Sequence, residues 1–547
     1  MIKFPIITFS ALLVSGWYLF HWDLFFNSDF AMIGLLAKRT MEQGQQFVFV
    51  PKVGYQGLLI ECNLAAFLFK MFGVSPTSLH LTAIIAFFVF LFVYYFSVRA
   101  WFSKTEATLA GILICFSSPL FSGNVLRTQP NYPETFALGC CLFWVYKQLL
   151  RESRPSYFCL LGLISGFGFY LYGQIIYFVA SVILSYFLGP LLLWFSSHPA
   201  EKRKIKILFI LCGFCALAPS IRFNDFRLAG VSLAIVLLLV YGIRMIFRFR
   251  KGIKEFFSQN LRPIFLTGSF FILGYSPSLY YRWIKGLPTK SGFALNKFSE
   301  EIFRNVGLIK EAFHVFAVGF SPFPIPQILT IGLIGLCLWF FFQDCKRHDK
   351  EARNPFWLLG LLILVAALVS RSVDSVFALR YTLCWQLVLS VAVAKCLSQI
   401  KQRHVWLATI LFTVFVGYRT YHHLRAREQY PYYTEQLAEW KDIEPIIPFL
   451  KSKGIRKGYG DYWVSYITNF MTQEELILEP LFSNYLPFYE EELKKENQIA
   501  LIKKGSLTWY EPKEVKPDEE LTIKGVSYRV KEFKEFSPWS VWILEKL

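Results

Sequence analysis

The sequence predicts a mostly α-helical, polytopic membrane protein with a small α/β domain at its C-terminal end. Three observations predict it. First, 55% of the 547 residues are hydrophobic and only 17% are charged, with a mean hydropathy of +0.42. A soluble chain carries about a quarter charged residues. Second, apolar runs recur from Phe4 to about residue 420. Third, charge is sorted along the chain: Pro431 to Leu547 holds 16 Lys+Arg and 20 Asp+Glu, leaving 41 and 18 for residues 1–430. The net charge of +19 therefore belongs to the apolar part, where it reports membrane topology and not a nucleic-acid-binding face. Together these exclude a soluble enzyme, a disordered chain and a disulfide scaffold. The 11 cysteines lie mostly in or beside apolar runs, and none follows Cys396. They form no CxxC pair with a His partner, so they read as small apolar core residues.

The first run, Phe4 to Phe20, follows a single Lys and precedes His21-Trp22-Asp23 rather than a small-residue cleavage site. It reads as an anchor helix. Further runs lie near 79–99, 107–122, 134–146, 157–171, 174–196, 207–221, 229–243, 263–281, 325–343, 355–370, 380–397 and 405–420, about thirteen spans in all, several shorter than the roughly 20 residues of a straight crossing. The pair 157–171 and 174–196 turns at Tyr172-Gly173. With the N-terminus in the cytoplasm, short inner loops hold 22 Lys/Arg and short outer loops only five, as the positive-inside rule requires of an odd number of spans. Residues 1–421 thus form the transmembrane part in the inner (cytoplasmic) membrane. Three long segments fall outside: about 21–78, about 282–324 and the stretch from about 422. Residues 422–547 read as a soluble extracytoplasmic α/β domain, with turn signals at Lys453-Gly454 and Lys504-Gly505 and β-like runs at Val526 to Val530 and Val541 to Leu544.

Acids are scarce outside the membrane in this topology, and the first outer loop gathers four of them: Asp23, Asp29, Glu42 and Glu61. Carboxylates near bilayer depth are costly and mark function. Ser28 or Asp29 can cap a helix that starts at Phe30 and ends near Gly44, and Gly54-Tyr55-Gln56-Gly57 turns into a second helix, Leu58 to Phe72. Two amphipathic helices between two spans lie flat in the interface. Asp29 and Glu61 each fall near a helix start, where a carboxylate is favoured.

The run from Ser28-Asp29-Phe30-Ala31 through Gly54-Tyr55-Gln56-Gly57-Leu58 to Glu61 resembles the first extracytoplasmic loop of bacterial GT-C-type glycosyltransferases related to dolichyl-phosphate-mannose–protein mannosyltransferases. Asn131-Tyr132-Pro133-Glu134-Thr135 is similar to that family's Gly-Tyr-Pro-Glu-Thr stretch. Arg380-Tyr381 is similar to an Arg-Tyr opening a late span, and Asp461 to Tyr466 to a C-terminal segment of one uncharacterised branch. Two positions depart from the pattern: relatives often have two adjacent acids where Asp29 is followed by Phe30, and His-Pro where this chain has Gly173-Gln174.

The resemblance implies a membrane enzyme that takes a sugar from a polyprenyl-phosphate donor and passes it, with inversion, to a glycan, lipid or protein acceptor outside the cytoplasm. A carboxylate at the interface suits that chemistry, because it can accept the acceptor hydroxyl's proton as the oxygen attacks the anomeric carbon. Asp29 is the candidate base, with Glu61 orienting the acceptor, a sugar hydroxyl or a divalent cation; no cofactor is otherwise implied. The lipid phosphate needs outward cations. Arg380 is the first candidate, since an Arg fork suits a phosphate, followed by Lys52 and Arg282. Tyr55, Gln56 and Glu134 complete the substrate-binding candidates. The segment 282–324 reads equally as a lid or as an interfacial connector, and Tyr462, Trp463 and Tyr466 as sugar-stacking or core residues. The rival reading is a polytopic transporter or flippase of lipid-linked sugars. Such proteins place polar sites at mid-membrane and show internal repeats, and this sequence shows neither.

Overall fold

The computed structural model describes residues 3–24, 26–52, 57–117, 119–128, 131–197, 250–285, 339–340, 343, 354–369, 383–399, 440–482, 485–486, 488–504 and 518–547. The apolar runs near 207–221, 229–243 and 405–420, and nearly all of 325–343, lie outside them.

The first apolar run forms α1 (Lys3–Phe20). The first-loop helices are α2 (Ser28–Gln43) and α3 (Leu59–Phe72). Then follow α4 (Pro76–Trp101), α5 (Lys104–Cys115), α6 (Pro119–Val125), α7 (Tyr132–Arg151), α8 (Pro155–Leu171), α9 (Ile175–Ser197), α10 (Arg250–Lys285), α11 (Pro355–Val369) and α12 (Trp385–Ser398). Among the described residues α4 is long and apolar enough to cross a membrane by itself; Phe4–Phe20, Pro155–Leu171 and Trp385–Ser398 are shorter apolar helices. Large apolar side chains point outward from several of them, among them Phe9, Phe92, Phe265 and Ile272.

The run near 107–122 is not one helix. It breaks after Cys115, and Pro119 opens a short second piece. A proline lacks the N–H a helix interior needs and disfavours helical geometry in the residue before it. α8 and α10 pack backbone against backbone. A Cβ on Gly162 or Gly166 would collide with the carbonyls of Thr267 or Phe271, and one on Gly274 with that of Leu163. Small residues one turn apart permit this approach, which membrane helices use in place of a hydrophobic driving force.

The C-terminal part holds α13 (Trp440–Ile443), α14 (Ile446–Ser452), β1 (Lys457–Gly460), α15 (Tyr462–Met471), β2 (Ile477–Pro480), α16 (Glu490–Leu493), β3 (Gln498–Lys504), β4 (Glu520–Ile523), β5 (Val526–Phe536) and β6 (Trp539–Lys546). Its sheet has the order β2-β1-β3-β6-β5-β4. β1 is parallel to β2 and β3, and the other pairs are antiparallel. The two β-like runs of the sequence lie inside β5 and β6. This part closes one core of its own, around Tyr459, Leu501, Val530 and Leu544, and shares a second: another buried cluster runs from Phe30, Leu36 and Phe69 of the first loop to Ile467, Phe470 and Ile543.

That shared core alters the expected setting of α2. Phe30 to Ala37 are buried without a break, so α2 has no face left to lie on lipid. It is wedged between α3 and α15, because its apolar residues occupy both sides of the helix. α3 keeps an outward apolar face, with Phe67, Met71 and Phe72 exposed, as an interfacial helix would.

Candidate active site at the first-loop and C-terminal seam

α2 begins with three consecutive residues able to cap it, Asn27, Ser28 and Asp29. The cap is Asn27, whose side chain accepts a hydrogen bond from the Phe30 N–H at 3.0 Å. This corrects the expectation of Ser28 or Asp29 and frees both for other work. The helix ends at Gly44, as the sequence suggests.

Ser28 is buried and its hydroxyl donates to the carbonyls of Tyr462 and Trp463 at 2.7 and 2.8 Å. Asp29, half-buried on the first turn of α2, accepts a hydrogen bond on Oδ1 from the Tyr462 hydroxyl. Burial and the adjacent Asp29 carboxylate push the Tyr462 phenol well above its ordinary range, so it stays protonated and acts as the donor. The start of α15 is fixed in turn by Asp461, whose side chain caps it through the Trp463 N–H at 2.9 Å.

α2 and α15 then run side by side in the same direction. Gly34 faces the Phe470 ring so closely that a Cβ there would clash with it. Ten residues beyond Ser28, Lys38 and Arg39 both pair with Glu474 at 2.8 and 3.2 Å, Tyr489 donates to the same carboxylate at 2.7 Å, and Arg39 stacks over Phe488 at 4.1 Å. At 1.5 Å per residue, the two attachment points are about 15 Å apart along the helix. Burial pushes the Glu474 carboxyl up, but the Lys38 and Tyr489 hydrogen bonds and the Lys38 and Arg39 charges outweigh it and hold it below the usual carboxylate range.

A second knot forms around Gly57. Its N–H donates to the Leu171 carbonyl at 3.0 Å, its carbonyl accepts from Asn131 Nδ2, and Leu58 N–H donates to Val48 at 3.0 Å. The Tyr170 hydroxyl bridges, accepting from Leu59 N–H at 3.2 Å and donating to the Val48 carbonyl at 2.9 Å. Asn131 reaches Gly57 from a left-handed backbone conformation at φ 60°. Glu61, only 3% exposed, follows Gly57 by one turn in α3. Glu134, half-buried, follows Asn131 in the first turn of α7, and its Oε2 is buried without a hydrogen bond.

The remaining sequence candidates fall as follows. Lys52 is exposed, with a left-handed φ of 64°. Arg282 is half-buried in the last turn of α10, next to Tyr281, whose ring meets Phe49 edge-on at 5.2 Å. Tyr55, Gln56 and Arg380 lie outside the described residues, as does the 282–324 segment beyond Lys285. The structure thus ties Glu61 and Glu134 to one anchor, Gly57, and ties Asp29 to another, the start of α15. Among the described residues no three His, Cys, Asp or Glu side chains gather in a way that would hold a metal ion. Tyr466 is a core residue: it is fully buried, and its hydroxyl accepts the N–H groups of Tyr485 and Leu486 at 2.9 and 3.1 Å. Tyr462 is the residue that sequence reasoning set aside. Its aromatic neighbours suggested stacking or packing, and nothing local signals a partner 433 positions away.

A family model described as dolichyl-phosphate-mannose-protein mannosyltransferase matches residues 63–221. The fold matches the crystal structure of ArnT from Cupriavidus metallidurans bound to undecaprenyl phosphate, with a TM-score of 0.53 at 10% identity over 98% of this chain and 97% of that one. Over residues 63–221 the chain is similar to that mannosyltransferase family, and as a whole it shares the fold of ArnT. Among further solved structures, the archaeal oligosaccharyltransferase AglB from Archaeoglobus fulgidus, in complex with an inhibitory peptide and a dolichol-phosphate, aligns with a TM-score of 0.44 at 11% identity over 92% of this chain and 69% of that one. Comparison with curated proteins gave no match. The stretch matched by the family model begins within α3, just past Glu61, and takes in α4 to α9 and the Asn131–Glu134 segment.

Proposed function

We propose that the chain transfers a sugar from a polyprenyl-phosphate donor to an acceptor on the outer face of the inner membrane, with inversion, and that Asp29 is the base. The observation that carries this reading is the Asp29 carboxylate itself: half-exposed, at a helix N-terminus, with one oxygen engaged by Tyr462 and the other left for a substrate. The undecaprenyl phosphate bound to ArnT, whose fold this chain shares, supports a lipid-phosphate donor.

In the reaction an acceptor oxygen attacks the anomeric carbon from the face opposite the phosphate. The carbon–oxygen bond to the lipid phosphate breaks, its electron pair leaves with the phosphate, and Asp29 takes the acceptor's proton. The leaving group is a phosphate monoester, so a general acid is less necessary than in glycoside hydrolysis. Arg380, Lys52 and Arg282 are the cations proposed for that phosphate. Glu61 and Glu134, tied to one anchor, are proposed to orient sugar or acceptor hydroxyls, and Glu61 is also suited to a divalent cation.

The proposed sidedness gains support from parity. Because Asp29 touches Tyr462, the first loop and the C-terminal part must share a side, which requires an even number of crossings between them. Twelve apolar runs lie between, and with α1 they make the thirteen read from the sequence.

Purified protein in nanodiscs, given undecaprenyl-phosphate-linked mannose, glucose or arabinose, is expected to release undecaprenyl phosphate from at least one of them. Movement of the intact lipid across the bilayer without release would establish the flippase reading instead.

A further inference from the structure

We propose that Tyr462 is a positioning residue for Asp29, so that the C-terminal part completes the reaction centre and is more than an appended domain. The proposal rests on the reading of Asp29 as base and goes beyond it by naming what holds that base. Three observations meet at this point. The Tyr462 hydroxyl donates to one carboxylate oxygen of Asp29. The same residue's carbonyl is gripped by Ser28, the neighbour of Asp29. The ring is held by three others, edge-on to Trp463, Tyr466 and Tyr485 at 5.1, 5.4 and 5.6 Å.

A carboxylate at the head of a helix swings about two side-chain torsions. A hydrogen bond from a ring that cannot itself move removes that freedom, and positioned groups of this kind act mainly by orientation. Because the phenol takes Oδ1, the proton-accepting oxygen is set as Oδ2. Among the described residues the other titratable groups beside the phenol are Tyr466 and Tyr485, and His80 of α4 lies edge-on to Phe30, the neighbour of Asp29, at 5.3 Å. The Lys38, Arg39 and Glu474 cluster grips α2 ten residues further along. Tyr462 is thus the hydroxyl that meets Asp29 from the C-terminal side among the described residues.

The test uses the full chain in nanodiscs and undecaprenyl phosphate release from the mannose, glucose and arabinose lipids. Tyr462→Phe keeps the ring and its edge contacts and removes only the donated proton. The expected result is a kcat about tenfold lower with the donor KM within about twofold, since a hydrogen bond to a charged group is worth about one such factor, and with an unchanged thermal midpoint. Ser28→Ala removes two hydrogen bonds from the same seam but leaves the phenol in place, and is expected to keep kcat within about threefold.

A Tyr462→Phe chain with parental kcat overturns the proposal. So does one that fails to fold, because the hydroxyl would then be structural. Equal losses in Ser28→Ala and Tyr462→Phe overturn it as well, because docking alone would explain both. Asp29→Asn separates this outcome from the underlying reading. If that variant is inactive while Tyr462→Phe is unaffected, only the positioning role falls; if Asp29→Asn turns over donor normally, the reading of Asp29 as base falls first.

Discussion

At the scale of single residues, most of what matters is a matter of which side chain finds a partner. The sequence singles out Asp29 because acids are scarce in the first loop's expected setting and it stands at a helix start. It does not single out the partner, because a contact between residues 29 and 462 leaves no local pattern. Asn27 was passed over as the cap for a simpler reason: three capping residues in a row offer the helix three possible starts, and only packing chooses among them. Asn131 shows the same limit. The sequence marks it as part of a motif, yet its work is to hold the Gly57 carbonyl from a left-handed backbone that Asn tolerates better than most residues. Asn131→Ala is expected to leave that buried carbonyl without its donor and to lower stability by about 1–3 kcal/mol, read as a lower thermal midpoint of the purified protein. An unchanged midpoint would remove the Gly57 knot from the account.

Helices and strands were read more reliably than their surroundings. α3 and α7 to α9 follow the apolar runs closely, and β5 and β6 contain the runs that suggested them. The break at Pro119 was missed because hydropathy averages over it. The close approach of α8 to α10 was missed because it depends on which glycines face each other. Gly166→Leu is expected to force these helices apart and to reduce the yield of folded protein in detergent, measured by size-exclusion chromatography; a normal yield would show that the seam can give. The seam between α2 and α15 carries its own prediction. Glu474 is held below its ordinary carboxylate range in the folded protein. Its contribution is therefore complete above the ordinary value of about 4.5 and is lost as pH falls through the lower folded value. The parent is expected to lose thermal stability more steeply than Glu474→Gln on acidification below that value. Parallel curves would contradict this.

For the molecule as a whole, the sequence yielded the class, the long first loop and the terminal sheet, because composition and charge bias survive without a structure. It did not yield the shared core. Each half looks separately amphipathic, and only the fold shows that Phe30 and Phe470 are buried together. That union sets a topological requirement. Cysteines replacing Lys52 and Lys495, both exposed, are expected to react with a membrane-impermeant maleimide from the same, outer side of intact cells, and labelling from opposite sides would break the parity argument. Asp29 as the base is tested by single-turnover release of undecaprenyl phosphate from sugar-loaded lipid by the parent and by Asp29→Asn in nanodiscs. Release by the parent and a rate lower by about 10²–10⁴ in the variant, the range of a lost general base, are the expected result. Equal rates in the two proteins would contradict it.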